Sequence, residues 1–182
     1  MKPLIKKILL VLLAFVVISA SYSIYVTFIN PKSPKGTSVF KNDKLDLSVT
    51  YYRPYKKERL IFGKDSEGAL VPFETYWRLG ANFATVLETK TAIAFAGKSI
   101  PAGAYRVYAI PYADHWVLAL NSEAGAFGYS PPDYDNDVLR IRVPVQRLES
   151  SLEQFTIDFL ERDSRVILRL RWDTTAVEIQ IE

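Results

Sequence analysis

Leu45-Asp46-Leu47-Ser48-Val49-Thr50-Tyr51-Tyr52 (LDLSVTYY, residues 45–52) puts an apolar side chain at every second position, with Asp46, Ser48, Thr50 and Tyr52 between them. Side chains alternate between the two faces of an extended chain, so this stretch predicts a strand with one face buried. The same period returns towards the C-terminus. Tyr105, Val107 and Ala109 alternate with Ala104, Arg106 and Tyr108, and Trp116, Leu118 and Leu120 follow after the turn-like Pro111–Asp114, which predicts a hairpin. Leu139, Ile141, Val143 and Val145 form a further run, then Phe155, Ile157 and Phe159, then Val166, Leu168, Leu170 and Trp172, and finally Val177, Ile179 and Ile181. Gln146–Gln154 admits a helical turn, and Asn121–Asp137 is the longest irregular connection. Many short strands with no strand–helix alternation predict an all-β domain, an antiparallel β-sandwich or a related barrel.

Ahead of this domain, Lys2, Lys6 and Lys7 precede an uncharged run from Ile8 to Ile29. As a helix that run is about 33 Å long, close to the thickness of a bilayer hydrocarbon core. The expected organisation is a cytoplasmic tail over 1–7, a transmembrane anchor over 8–29, a Pro-, Lys- and Ser-rich tether over 30–44 and a single exported β domain over 45–182. Basic residues favour the cytoplasmic side, which places the β domain outside, on the periplasmic side if the cell has two membranes. A cleaved signal peptide is the competing reading, because Ser19-Ala20-Ser21 offers small residues for cleavage. The run continues to Ile29, beyond where a signal peptide turns polar, and this favours a retained anchor.

The formal net charge of +3 is accounted for by Lys2, Lys6 and Lys7, so the exported part is neutral overall. A neutral domain does not suggest nucleic acid as a partner. Cysteine is absent, which excludes disulfides, thiolate metal sites and cysteine nucleophiles. With a single histidine, His115, no multi-histidine metal site can form within one chain. Asp114 precedes it, but neighbours on a regular strand point to opposite faces. No Gly-x-Ser-x-Gly elbow occurs, and the Gly97–Gly103 segment lacks phosphate-loop spacing. Asp133, Asp135 and Asp137 place hard oxygens in one loop without the glycine or closing glutamate of a calcium loop. An exposed acidic loop is the expectation there, with a noncanonical calcium site as the alternative, and no other metal or cofactor is expected.

The densest group of polar and aromatic residues runs from Tyr51 to Thr85. Its Arg53-Pro54, Lys57, Arg59, Ile61-Phe62-Gly63, Leu70-Val71-Pro72, Trp77-Arg78, Gly80-Ala81-Asn82 and Ala84-Thr85 form an ordered string. Gly97-Lys98, Ile100-Pro101-Ala102-Gly103, Tyr105, Ile110-Pro111 and Trp116 continue it, and Val138-Leu139-Arg140 and Val143-Pro144-Val145 extend it more weakly. In this string the chain resembles a bacterial envelope-associated family, domain of unknown function 2911 (DUF2911), over most of the exported domain. The resemblance implies a group and no activity. Three positions depart from it: Phe83 stands where the pattern has Glu, and Glu58 and Glu74 stand where it has Gly.

Trp77, Arg78 and Asn82 combine a flat apolar face, a planar cation and an amide, and with Arg53 and Arg59 they are the candidate ligand-binding residues. Such a set suits a glycan, a peptide or an envelope protein. In the competing reading Trp77 fills the core, Arg78 and Asn82 brace a turn, and Arg53 and Arg59 make surface ion pairs. Two alternatives to a non-catalytic binding domain are a hydrolase of envelope glycans or peptides and a structural subunit of a membrane complex. A hydrolase needs paired carboxylates, with Glu67, Glu74, Glu88 and the Asp133 cluster as candidates.

Overall fold

A computed structural model describes residues 3–30, 32–125 and 127–182. The chain divides into two compact units, Met1–Pro34 and Lys35–Glu182. In the first, helix α1 (Pro3–Ile24) carries no acidic residue, has mean hydropathy 2.3 and ends in a π-helical turn, Tyr25–Ile29. The helix is long and apolar enough to cross a membrane, and a signal sequence would have the same character.

The second unit is built of antiparallel sheets that do not close into a barrel. Sheet one has the order β1-β2-β5-β8-β9-β10. Its strands are β1 (Lys35–Lys41), β2 (Asp46–Tyr52), β5 (Thr85–Thr89), β8 (Gly103–Pro111), β9 (His115–Asn121) and β10 (Asp137–Pro144). Sheet two has the order β11-β12-β6-β7, from β6 (Ile93–Phe95), β7 (Lys98–Ile100), β11 (Gln146–Arg162) and β12 (Arg165–Ile181). A short parallel pair, β3 (Phe62–Gly63) and β4 (Val71–Pro72), carries the connection between β2 and β5.

The alternating residues of the sequence meet between the sheets. Leu47, Val49 and Tyr51 of β2 and Tyr105, Val107 and Ala109 of β8 share one apolar cluster with Phe155 and Ile157 of β11 and Leu168, Leu170 and Trp172 of β12. At its centre Trp77, Trp116, Phe155 and Trp172 pack with ring centroids 5.0–6.0 Å apart. Tyr51 ties the sheets together, its hydroxyl donating to the Ile157 carbonyl at 3.1 Å and accepting from the Ile157 amide at 2.8 Å. The expected β8–β9 hairpin forms, with Val107 opposite Leu120 and Ala109 opposite Leu118.

Three expectations are corrected. Lys35–Lys41 is strand β1 rather than tether: all seven residues pair with β2, from Lys35 opposite Tyr52 to Lys41 opposite Asp46. Its Gly, Thr and Ser conceal the strand in the sequence, because an edge strand buries little. Gln146–Gln154 is extended within β11, not helical. The runs 166–172 and 177–181 belong to one strand, which bends where Asp173 adopts φ 52° at an irregularity opposite Leu152. Lys56 Nζ (2.6 Å) and Ser151 Oγ (2.7 Å) both bond the Asp173 carboxylate, and this clamp holds the bend.

Candidate functional site

β8 is buried on both faces between Tyr105 and Ala109. The inner face is the core, whereas the outer face, carrying Arg106 and Tyr108, is covered by the connection from β9 to β10. That connection is the long polar loop flagged in the sequence. Asn121, fully buried at the end of β9, anchors it by donating from Nδ2 to the Asp133 carbonyl and to Asp137, each at 2.8 Å. Pro132 is buried and Asp133 caps the short 3₁₀ turn Tyr134–Asn136 by accepting from the Asp135 amide.

Beneath the loop lies a small polar core. Arg106 Nη2 donates to the Tyr76 hydroxyl and to the Ser130 carbonyl, and its guanidinium carbon stands 5.6 Å from the Tyr76 ring centroid. Tyr76 in turn donates to the Gly128 carbonyl at 3.1 Å. Burial pushes the Tyr76 hydroxyl up in pKa, and the positive charges of Arg106 and Arg78 only partly oppose that, so the phenol stays protonated at neutral pH. Tyr108 donates to Asp137 at 2.6 Å and accepts from Arg140, and its pKa is raised by burial and by that carboxylate. Arg140 also bonds Asp137 and covers the Tyr134 ring at 4.8 Å.

The sequence candidates divide over this arrangement. Trp77 bonds the Ala109 backbone in both directions (2.8 and 2.9 Å), extending sheet one beyond the end of β5, and its indole enters the core. Alternation then sends Arg78 to the outer face. A shared Trp77–Arg78 surface therefore does not form. Arg78 and Asn82 do meet: Arg78 Nη1 donates to the Asn82 carbonyl at 3.2 Å, across a turn made by Gly80 (φ 134°) and Asn82 (φ 58°). A Cβ on Gly80 would lie 2.4 Å from the Tyr52 carbonyl oxygen, so only glycine fits there.

Arg53 and Arg59 lie apart from this face, and neither makes the expected ion pair among the described residues. Arg53 reaches Thr156 Oγ1 on β11 (3.4 Å), while Arg59 donates to the Lys56 and Tyr55 carbonyls and braces the turn through Lys57 and Glu58. Both Gly-to-Glu departures fall on left-handed backbone, Glu58 at φ 59° and Glu74 at φ 63°. That explains why glycine suits those two positions.

The third departure, Phe83, builds a surface. Phe83 is 42% exposed, with Phe127 (56%) and Tyr129 (74%) beside it on the loop. Its ring stacks on Tyr52 at 5.7 Å and meets the edge of Phe127 at 4.8 Å, and Arg78 covers Tyr129 at 5.5 Å. The loop reaches this close because of Gly128, where a Cβ would sit 2.8 Å from the Ala84 amide nitrogen. Arg78 and Asn82 do not line the depression of about 400 Å³ bounded by Gly97, Arg142, Pro144 and Glu178 on another part of the domain.

Two other candidates take a different form from that expected. Asp114 sits in the turn before β9 rather than on a strand, and so its carboxylate does reach His115 Nδ1, at 2.6 Å. That bond lowers the Asp114 pKa. His115 stacks flat on Tyr112, and its buried Nε2 has no hydrogen-bond partner among the described residues, so no hydroxyl completes a triad. Asp137 of the acidic loop spends its oxygens on Asn121, Tyr108 and Arg140. No group of three or more His, Asp or Glu side chains converges as a cation site among the described residues.

Residues 33–181 match the family described as protein of unknown function (DUF2911). The chain belongs to that family. No curated protein and no solved structure matches it. Membership in DUF2911 thus covers the whole β unit, including β1, and leaves the activity to be inferred from the residues.

Proposed function

We propose that this DUF2911 protein is a non-catalytic binding module, retained by its N-terminal helix with the β unit on the outer side of the membrane, and that it recognises a glycan. Lys2, Lys6 and Lys7 support that orientation, because basic flanks stay on the cytoplasmic side. The observation that carries the ligand reading is the exposed platform of Phe83, Phe127, Tyr129 and Tyr52 around Arg78. Flat rings bury the apolar faces of sugar rings, and a guanidinium supplies several donors to hydroxyl or acidic groups. Asn82 contributes by holding Arg78 in place.

The test is calorimetric titration of the full chain, kept in a polyoxyethylene detergent, with a panel of neutral and acidic oligosaccharides. Binding by the wild type, weakened at least tenfold in Phe83→Ala and Phe127→Ala with an unchanged unfolding midpoint, supports the platform. Absence of binding across the panel, or full binding by both variants, overturns it. Intact-mass measurement of the membrane-extracted protein checks the anchor: a new N-terminus near Ser21 indicates a cleaved signal sequence instead.

A further inference from the structure

Arg106 is 2% exposed, so its guanidinium is a buried cation. Among the described residues it is met only by neutral oxygens, the Tyr76 hydroxyl and the Ser130 carbonyl, both on Nη2, while Nε is buried with no hydrogen-bond partner. Arg53 and Arg171 also have a buried Nε without a hydrogen-bond partner among the described residues, but Arg171 is paired with Asp158 and Arg53 is less enclosed than Arg106, whereas three further arginines are served by carboxylates. Arg140 bonds Asp137, Arg162 grips Glu178, and Arg169 uses its Nε and Nη2 edge to hold both oxygens of Asp158 at 3.1 Å each. In Arg106 the same two nitrogens have only neutral acceptors on Nη2 and, among the described residues, no partner on Nε. A buried cation without an anion is costly, and an unpaired N–H adds to the cost.

A second guanidinium reaches the same part of the loop: Gly128, whose carbonyl accepts from Tyr76, packs against the Arg78 side chain, where a Cβ would lie 3.0 Å from Arg78 Cδ. Arg78 has the Asn82 carbonyl and the Tyr129 ring as its partners, with no carboxylate within ion-pair distance among the described residues.

We propose that Arg106, Arg78 and Tyr76 form an oxyanion subsite at the base of the aromatic platform, where a carboxylate or phosphate of the ligand displaces the Ser130 carbonyl and takes the Nε–Nη2 edge of Arg106. This rests on the outer face being the ligand surface. The displaced group has somewhere to go: Ser130 is exposed, so its carbonyl can turn to solvent. An oxyanion on this edge makes two parallel charge-assisted bonds, the geometry Arg169 already shows with Asp158.

The full chain, in a polyoxyethylene detergent at low ionic strength, is titrated with glucose, glucuronate, glucose 6-phosphate and inorganic phosphate. The wild type is expected to bind glucuronate or glucose 6-phosphate at least tenfold tighter than glucose, with the stronger of the two identifying the ligand's acid. Arg106→Gln is expected to abolish that preference and Arg78→Gln to reduce it severalfold. Equal affinity for glucose and both acidic sugars overturns the subsite and leaves the saccharide reading intact. An acid preference that survives Arg106→Gln also overturns it. If Arg106→Gln does not fold, Arg78→Gln and Tyr76→Phe decide, and an unchanged preference in both overturns the subsite. Should no sugar bind while inorganic phosphate raises the midpoint of the wild type and not of these variants, the oxyanion subsite stands and the saccharide reading falls.

Discussion

The two faces of β8 are both buried, yet they are buried by different physics. On the inner face Tyr105, Val107 and Ala109 meet the second sheet through apolar contact, and any well-packed hydrophobic side chain of similar volume serves there. On the outer face Arg106 and Tyr108 are buried by a loop, and each of their polar atoms needs a particular partner at a particular distance. The first face tolerates change as long as volume is kept. The second depends on geometry set by residues 24 or more positions away in the chain, such as Ser130 and Tyr76.

The comparison can be broken most severely on the inner face. Trp172→Ala removes one of the three tryptophans at the meeting point of the two sheets and is expected to cost about 3–5 kcal/mol, read as a large fall in the urea midpoint. If it costs no more than a surface substitution, the two-sheet core is misassigned. On the outer face, Arg106→Gln leaves the Ser130 carbonyl and the Tyr76 hydroxyl without their donor, and a loss of about 1–3 kcal/mol is expected in the same assay. That loss should come with faster amide exchange in the loop and unchanged exchange in β2 and β5.

A smaller effect of opposite sign is expected at Glu58 and Glu74. Both are exposed at positive φ, so Glu58→Gly and Glu74→Gly should each stabilise the protein by up to about 1 kcal/mol, since glycine enters that region without steric cost. A fall in the midpoint would show that the carboxylates hold these turns in another way.

The smallest expected effect is a pH dependence. Burial raises the Asp173 carboxyl, but hydrogen bonds from Lys56 and Ser151 outweigh it and the net shift is downward; the bonds from Arg162 lower Glu178. Groups whose pKa is depressed on folding contribute stability that is fully present above the ordinary carboxylate range, about pH 4, and is lost as the pH falls through their folded values. The midpoint should therefore hold between pH 5 and 7, by that linkage, and fall below about pH 4. Lys56→Met and Ser151→Ala should flatten the fall. An acid limb unchanged in both variants would remove Asp173 as its source.

Periodicity made most of the sandwich legible because alternation is a local property. A strand's two faces are written in consecutive residues, and the β8–β9 hairpin was visible from its turn. β1 was hidden because an edge strand paired on one side carries few apolar residues, and the continuity of β12 was hidden because Asp173 interrupts the period where the strand bends. For the site, Arg78 and Asn82 were legible as a polar pair near an aromatic, and the loop from Asn121 was marked by its length. Arg106 was not, since an arginine in an alternating strand reads as a solvent-facing residue.

By itself, then, the sequence determined an apolar N-terminal segment with lysines at its start, an all-β unit, membership of DUF2911, and the absence of thiol chemistry. Each follows from composition or from spacings of a few residues. Only the tertiary structure decided that Trp77 is core while its neighbour Arg78 is surface, that Phe83 joins Phe127 and Tyr52, and that Arg106 is enclosed without a carboxylate among the described residues. Those outcomes depend on which distant segment covers a given strand face, and local periodicity carries no information about that.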